Sequence, residues 1–267
     1  MNILDQIIEF KHKEVAEKKS LYPVKLLEQS IYFASPTVSL KKYLLREDKS
    51  GIIAEIKRKS PSKGMINPYV SVERTSIGYM QAGASALSIL TDKQFFGGSN
   101  EDLTVARKFN FCPILRKEFV IDEYQIIEAK SIGADAILLI AAVLTAEEIK
   151  RFTKAAHSLG LEVLMEVHDE NELKENLNSG VDLIGVNNRD LKTFELNIEN
   201  SKRLASMIPA DVVKVSESGI ESPQAIVELK KYGFKGFLIG QTFMQNSRPE
   251  KAAMEFIKEL KRVESLK

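Results

Sequence analysis

The 267-residue chain contains no tryptophan, one cysteine and three histidines. A single cysteine, Cys112, forms no intrachain disulfide, and its setting in Phe111-Cys112-Pro113 marks a buried thiol suited to a reducing compartment. With so few cysteines and histidines, widely spaced, a zinc site finds no ligands, and no metal or cofactor is expected. His12 and His157 fall in helical patterns as surface residues, and His168 follows a strand as a candidate cap for the next helix. A dominant charge is also lacking. Thirty-eight lysines and arginines meet 37 acids, a net charge of +1, so no global field draws the chain to nucleic acid or to a membrane surface. Lys57-Arg58-Lys59 is basic but isolated, too short for a nucleic-acid face. No apolar run approaches the roughly 20 residues that cross a bilayer, and Met1–Phe10 carries acids within its apolar stretch, unlike a signal peptide. There is no Gly-x-Ser-x-Gly elbow and no P-loop. A cytoplasmic, monomeric protein is expected.

What is present is a repeated alternation. Short runs rich in Ile, Leu and Val occur at Ile52–Ile56, Ala86–Leu90, Pro113–Leu115, Ala136–Ile140, Val163–Val167, Leu183–Val186, Val212–Val215 and Gly236–Ile239. Near-continuous apolar runs of this length read as parallel strands buried on both faces. Helical patterns lie between them, including Val70–Gln81, Glu123–Ile132, Thr145–Leu159 and Ser222–Tyr232, each followed by glycine. Thr145-Ala146-Glu147-Glu148 is a capping box, and Ser222-Pro223 places proline at a first helical position. Eight strand–helix units in a chain near 250 residues predict a closed α/β (β/α)8 TIM barrel over residues 51–267. A doubly wound open sheet would carry a glycine fingerprint after the first strand, and Glu55-Ile56-Lys57-Arg58-Lys59-Ser60 has none. Residues 1–50 form an N-terminal helical extension of the same single domain. Ile3, Ile7, Phe10 and Glu14 share a helical spacing, with charged residues such as Lys11 in the gaps. This helix either plugs or flanks the barrel or covers its catalytic mouth.

Active sites of such barrels lie at the carboxyl ends of the strands. Several runs end there in polar residues: Glu55 and Lys57, Arg116-Lys117-Glu118, Glu166 before Val167-His168, Asn187-Asn188-Arg189-Asp190, and Ser216-Glu217-Ser218-Gly219. Glu55 and Glu166 interrupt otherwise apolar strands, where a carboxylate costs several kcal/mol unless paired. One reading is a structural ion pair at the barrel top. The other is acid–base chemistry shared by Glu55, Lys57, Lys117 and Glu166. Glycines in the last two loops, Gly219 and Gly240, let backbone N–H groups approach an anion, which points to phosphate binding. Gly97-Gly98-Ser99 reads instead as a loop capping the helix that begins near Asn100.

These motifs resemble the indole-3-glycerol phosphate synthase family over nearly the whole chain. The resemblance rests on Ala54-Glu55-Ile56-Lys57-Arg58-Lys59-Ser60-Pro61-Ser62-Lys63-Gly64, then Leu90-Thr91-Asp92 with Phe95-Phe96-Gly97-Gly98-Ser99. It continues through Leu115-Arg116-Lys117-Glu118-Phe119, Glu166-Val167-His168, Gly185-Val186-Asn187-Asn188-Arg189-Asp190-Leu191 and Glu217-Ser218-Gly219-Ile220. It implies a carboxy-lyase of tryptophan biosynthesis whose substrate is 1-(2-carboxyphenylamino)-1-deoxyribulose 5-phosphate. By the same resemblance Lys117 is the general acid and Glu166 its acid–base partner. Lys57 steers the anionic substrate and Glu55 orients the reacting groups. Asn187, Ser218 and Arg189 match substrate-contacting positions. Ser60, Pro61, Phe96, Phe119, Leu138 and Leu191 would bind or wall the substrate, and Gly219, Gly240 and Gln241 match the phosphate loops. Two departures stand out. Without tryptophan, aromatic contacts fall to Phe or Tyr, and Gln241 replaces an acid or small residue common in the last loop. The chain ends soon after the eighth helix, so no fused second enzyme is expected. An isomerase on the same fold would want a Cys/Asp pair where the first strand offers Glu55 and Lys57. A non-catalytic phospholigand binder would have no need of Lys57, Lys117 and Glu166 together.

Overall fold

The computed structural model describes residues 3–190 and 193–266. Eight parallel strands form a closed barrel: Ile52–Ile56, Ala86–Leu90, Ile114–Lys117, Ala136–Ile140, Glu162–Val167, Leu183–Asn187, Val213–Glu217 and Phe234–Ile239. The first strand closes it by pairing on one side with the second (Ile53↔Ala86) and on the other with the eighth (Ile52↔Phe237). Parallel neighbours need crossovers, and helices supply them over the barrel's outer face. The helix signals are local. Ser71, Ser99, Asp122, Thr145, Asp169 and Ser222 each cap a helix through a side-chain oxygen that accepts a backbone N–H. Thr145 and Glu148 complete the expected capping box, and Gly83 ends its helix at φ +101.

Five strands extend beyond their apolar runs, the fifth by one residue, to Glu162. The third runs to Lys117, the sixth to Asn187 and the seventh to Glu217, while the eighth starts earlier, at Phe234. The polar ends remain in the ladder, with Leu90↔Lys117 and Asn187↔Glu217 in register. The backbone hydrogen bonds persist because they do not depend on side-chain polarity. A short antiparallel hairpin, Lys59–Ser60 with Gly64–Met65, lies in the loop after the first strand and was not foreseen.

Side chains alternate along each strand, so one set faces the helices and the other the barrel interior. Ile53, Leu115, Leu138, Leu164, Leu183 and Val215 belong to the interior cluster. Leu40 and Leu44, on a short helix at Leu40–Leu44, join that cluster and plug the amino-terminal end. A Cβ on Gly236, at the start of the eighth strand, would come within 3.0 Å of Leu44 Cδ1. The long helix Ile3–Leu21 lies at the opposite end, where Ile3, Leu4 and Ile7 roof the cavity described below. The first fifty residues thus contain both a plug and a roof. The buried stripe of the roof helix is Ile7, Lys11 and Val15, so Lys11, a charge in the gaps of the apolar spacing, is itself buried.

The loop after the second strand doubles back tightly. Gly98 donates its N–H to Asp92 O at 2.8 Å, and a Cβ there would lie 1.9 Å from Leu90 O, a backbone atom. Ser99 then caps the next helix, as expected for a structural loop. Gly98→Ala is expected to cost about 2–3 kcal/mol, because the strand end itself must move. An unchanged thermal midpoint by differential scanning calorimetry would contradict that.

Candidate active site

The polar set continues the interior rows upward. Two residues beyond Ile53 is Glu55, beyond Leu115 is Lys117, beyond Leu164 is Glu166, beyond Gly185 is Asn187, and beyond Val215 is Glu217. All five line one cavity of about 530 Å³ at the carboxyl ends of the strands. That volume is in the range of small-molecule sites. The neighbouring residue Arg116 faces the other way. It is fully buried among the helices, donating to Gln125 O at 2.8 Å and pairing with Glu128.

Lys117 is the hub. Its Nζ lies 3.0 Å from Glu166 Oε2 and also pairs with Glu217. Burial alone would depress its pKa, but Glu217, Glu166 and Glu55 together outweigh that and raise it. Glu166 is the best-supported anion of the set. Burial works against its charge, yet Lys117 and His168 hold its carboxyl well below the usual range. Asn187 Nδ2 also donates to its Oε1 at 3.1 Å. Glu217 fares worse. Burial lifts it, Lys117 pulls it back, and the nearby Glu166 lifts it again, leaving its carboxyl at about 7. Its Oε1 is buried without a hydrogen-bond partner. Lys57 Nζ meets Glu55 Oε1 at 2.7 Å. Two glycines make this crowding possible. A Cβ on Gly185 would sit 2.1 Å from Glu217 Oε1, and one on Gly240 would sit 2.4 Å from Glu55 Oε1.

One side of the cavity is apolar. Phe96 and Phe119 stack at a 39° tilt with centroids 5.9 Å apart, and Pro61, Leu138, Ile3, Leu4 and Ile7 share the lining. Ser60 sits beside Pro61. The basic triplet that follows the first strand is engaged internally rather than as a surface patch. Arg58 pairs with Asp102, and Lys59 Nζ donates to Gln94 O at 2.6 Å. The other side is built by the last two loops. Ser218 and Gly219 both take left-handed backbone, φ +68 and +72. A serine there is strained, and Asn188 holds it by donating to Ser218 O at 3.0 Å. Thr242 Oγ1 donates to Ile220 O at 3.0 Å and clips this loop to the one carrying Gly240 and Gln241.

A family model described as Indole-3-glycerol phosphate synthase matches residues 4–256. The chain belongs to the indole-3-glycerol phosphate synthase family. Among its relatives, the indole-3-glycerol phosphate synthase of Bacteroides thetaiotaomicron is 49% identical over 257 residues, covering 96% of this chain and 98% of the relative. That of Caldanaerobacter subterraneus subsp. tengcongensis is 44% identical, covering 97% and 99%, and that of Acinetobacter baylyi is 41% identical, covering 95% and 94%. A solved structure titled "Native KDPGal structure" aligns with a TM-score of 0.57 over 80% of this chain and 94% of that chain. At 14% identity it speaks to the fold alone.

Every site position singled out by the resemblance to indole-3-glycerol phosphate synthase lines this cavity, except Leu191, which lies outside the described residues. Arg189 joins the lining from the loop after the sixth strand, its Nη1 donating to Phe194 O at 3.0 Å. Two functional candidates were missed. Glu217 was seen only as a strand ending, although it follows Val215 by two residues as Lys117 follows Leu115. His168 does not cap the following helix. Asp169 does, and the His168 ring lines the cavity instead. Cys112 belongs to the outer core, its thiol pushed up by burial to about 12, so a Cys/Asp isomerase pair has no counterpart in the cavity. No group of metal-binding residues occurs among the described residues, and none of their helices is long and apolar enough to cross a membrane.

Proposed function

We propose that the chain closes the pyrrole ring of 1-(2-carboxyphenylamino)-1-deoxy-D-ribulose 5-phosphate. Carbon dioxide and water leave, and indole-3-glycerol phosphate is the product, a step of tryptophan biosynthesis. The observation that carries this reading is the Lys117 ammonium held between Glu166 and Glu217, in a cavity with an aromatic wall on one side and glycine loops on the other.

The aromatic ring of the substrate packs against Phe96, Phe119, Pro61 and Leu138. The phosphate sits at the opposite rim, on backbone N–H groups of Gly219, Gly240 and Gln241. Ser60, Ser218 and Arg189 contact the substrate between these ends. Lys57 attracts the anion, and Glu55 fixes Lys57 and orients the reacting groups. The ring carbon bearing the carboxylate attacks the ribulose carbonyl. Negative charge develops on the carbonyl oxygen, and Lys117 protonates it, leaving a hydroxyl. The ring that attacked is then an iminium, an electron sink that accepts the pair released when carbon dioxide departs. Glu166, kept anionic by its cations and oriented by Asn187, takes the proton whose loss expels the hydroxyl, and Lys117, reprotonated from solvent, gives that hydroxyl the proton with which it leaves as water.

Fluorescence of the indole product, followed on the purified protein with this substrate, tests the reading directly. Absence of product at any pH between 6 and 9 would overturn it. Because the last loop acts through its backbone, Gln241→Ala should leave KM within about threefold of the native value. A much larger rise in KM would give the Gln241 side chain a share in phosphate binding.

A further inference from the structure

Lys117 supplies one positive charge to two carboxylates, Glu166 and Glu217, so a second cation decides which of them stays ionised. The structure puts a histidine in that place. His168 Nε2 lies 3.3 Å from Glu166 Oε1, and its Nδ1 lies 3.2 Å from Glu172 Oε2. The ring is nine-tenths buried and lines the cavity. Its backbone is pinned as well. The His168 N–H donates to the same Glu172 oxygen at 2.7 Å, and Asn200 Nδ2 donates to His168 O at 2.9 Å and to Asn187 O at 3.0 Å.

We propose that His168 is a positioning residue: an imidazolium bridging Glu172 and Glu166 that fixes the charge and orientation of the Glu166 carboxylate. The inference rests on the acid–base part assigned to Glu166 above. With a carboxylate oxygen within 3.3 Å of each nitrogen, charge attraction favours hydrogen on both, although Nε2 meets Glu166 as an ion pair and not in line for a hydrogen bond. Burial opposes the charge, but Glu166 and Glu172 overcome it and hold the ring protonated to about 10. The groups facing Glu166 are Lys117 from the third strand, Asn187 from the sixth and His168 itself. Glu217 from the seventh reaches it through the shared Lys117. Those facing the imidazole are Glu166 on its own strand and Glu172 on the following helix. With His168 neutralising Glu166, the Lys117 ammonium is free to turn toward the substrate without stranding a buried anion.

Two measurements test this. In the native protein, 15N resonances of the imidazole at pH 8 should show both nitrogens protonated. A neutral-imidazole pattern there overturns the proposal, and this reading requires no turnover, so it stands apart from the question of the reaction catalysed. In His168→Asn and His168→Gln, removing the cation raises the pH at which Glu166 takes up its proton. The loss in kcat/KM should therefore be about tenfold at pH 6 and shrink to within about threefold at pH 9. A merely structural histidine would give the same loss at every pH, and a profile parallel to the native one would overturn the inference.

Discussion

Lys117→Ala should lower kcat by about a thousandfold while KM changes little. Its ammonium is the group placed to meet charge that appears only as the carbonyl is attacked, so its loss falls on the transition state and not on the bound ground state. The fold should survive. Removing the lysine leaves Glu166 and Glu217 in a buried cluster without their shared cation, an arrangement that costs several kcal/mol if both stay charged. Glu217 offers the escape. Its carboxyl already stands at about 7, so with Lys117 gone it takes a proton near neutral pH, and a single anion remains beside His168 and Asn187. Circular dichroism of the variant should match the native spectrum, and initial rates of indole fluorescence at saturating substrate give kcat. Activity within tenfold of native would remove Lys117 from the acid role and pass it to Lys57, the other ammonium that the described residues bring to the cavity.

Charges that interrupt or close an apolar run at its carboxyl end are what made this site legible from the chain. Glu55 and Glu166 break an apolar strand near its carboxyl end, where a charge has no reason to be unless something pairs with it. Reading a strand as an apolar run placed the others past the strand ends instead of inside the ladder. Arg116, Lys117, Asn187 and Glu217 lie within the hydrogen-bonded ladder, but an apolar run stops before them. The consequence was to see Glu217 only as a strand ending, although its carboxylate meets Lys117 and Gly185 is left bare to accommodate it. His168 was hidden for another reason. Its partners, Glu166 and Glu172, are near in sequence, yet the ring faces the cavity because Asp169, not His168, caps the next helix. The roof was the least legible part. The spacing of Ile3, Ile7 and Phe10 shows a helix with an apolar face. Nothing in one sequence tells which end of the barrel that face covers, since the contacts that decide it are made to residues some eighty to a hundred positions away.

Those contacts converge on Lys11, and Lys11→Met should be the most destabilising single change outside the cavity. Its Nζ lies 2.9 Å from Asp92, 2.9 Å from Glu118 and 2.7 Å from Glu14, and the lysine side chain is 1% exposed. Asp92 and Glu118 are also held in place by other groups. Asp92 Oδ1 accepts the N–H groups of Phe95 and Phe96, while Glu118 accepts those of Phe119 and the Thr91 hydroxyl. They cannot swing out to water when the ammonium is removed, so the variant leaves Asp92 without its cation and Glu118 with Arg116 alone, 4.0 Å away, at a cost of about 3–5 kcal/mol. In a chain of this size that is a thermal midpoint lower by about 10 °C. The same two carboxylates position the backbone of Phe96 and Phe119, and Lys11 fastens to them the helix whose Ile3, Leu4 and Ile7 roof the cavity. Loosening that junction weakens the aromatic seat equally for substrate and transition state, so KM should rise about tenfold with kcat nearly unchanged. Adding Glu118→Gln to Lys11→Met removes one stranded charge and should return part of the lost stability. A Lys11→Met protein that melts within 2 °C of native (less than about 1 kcal/mol) would mean that apolar packing alone seats the roof helix.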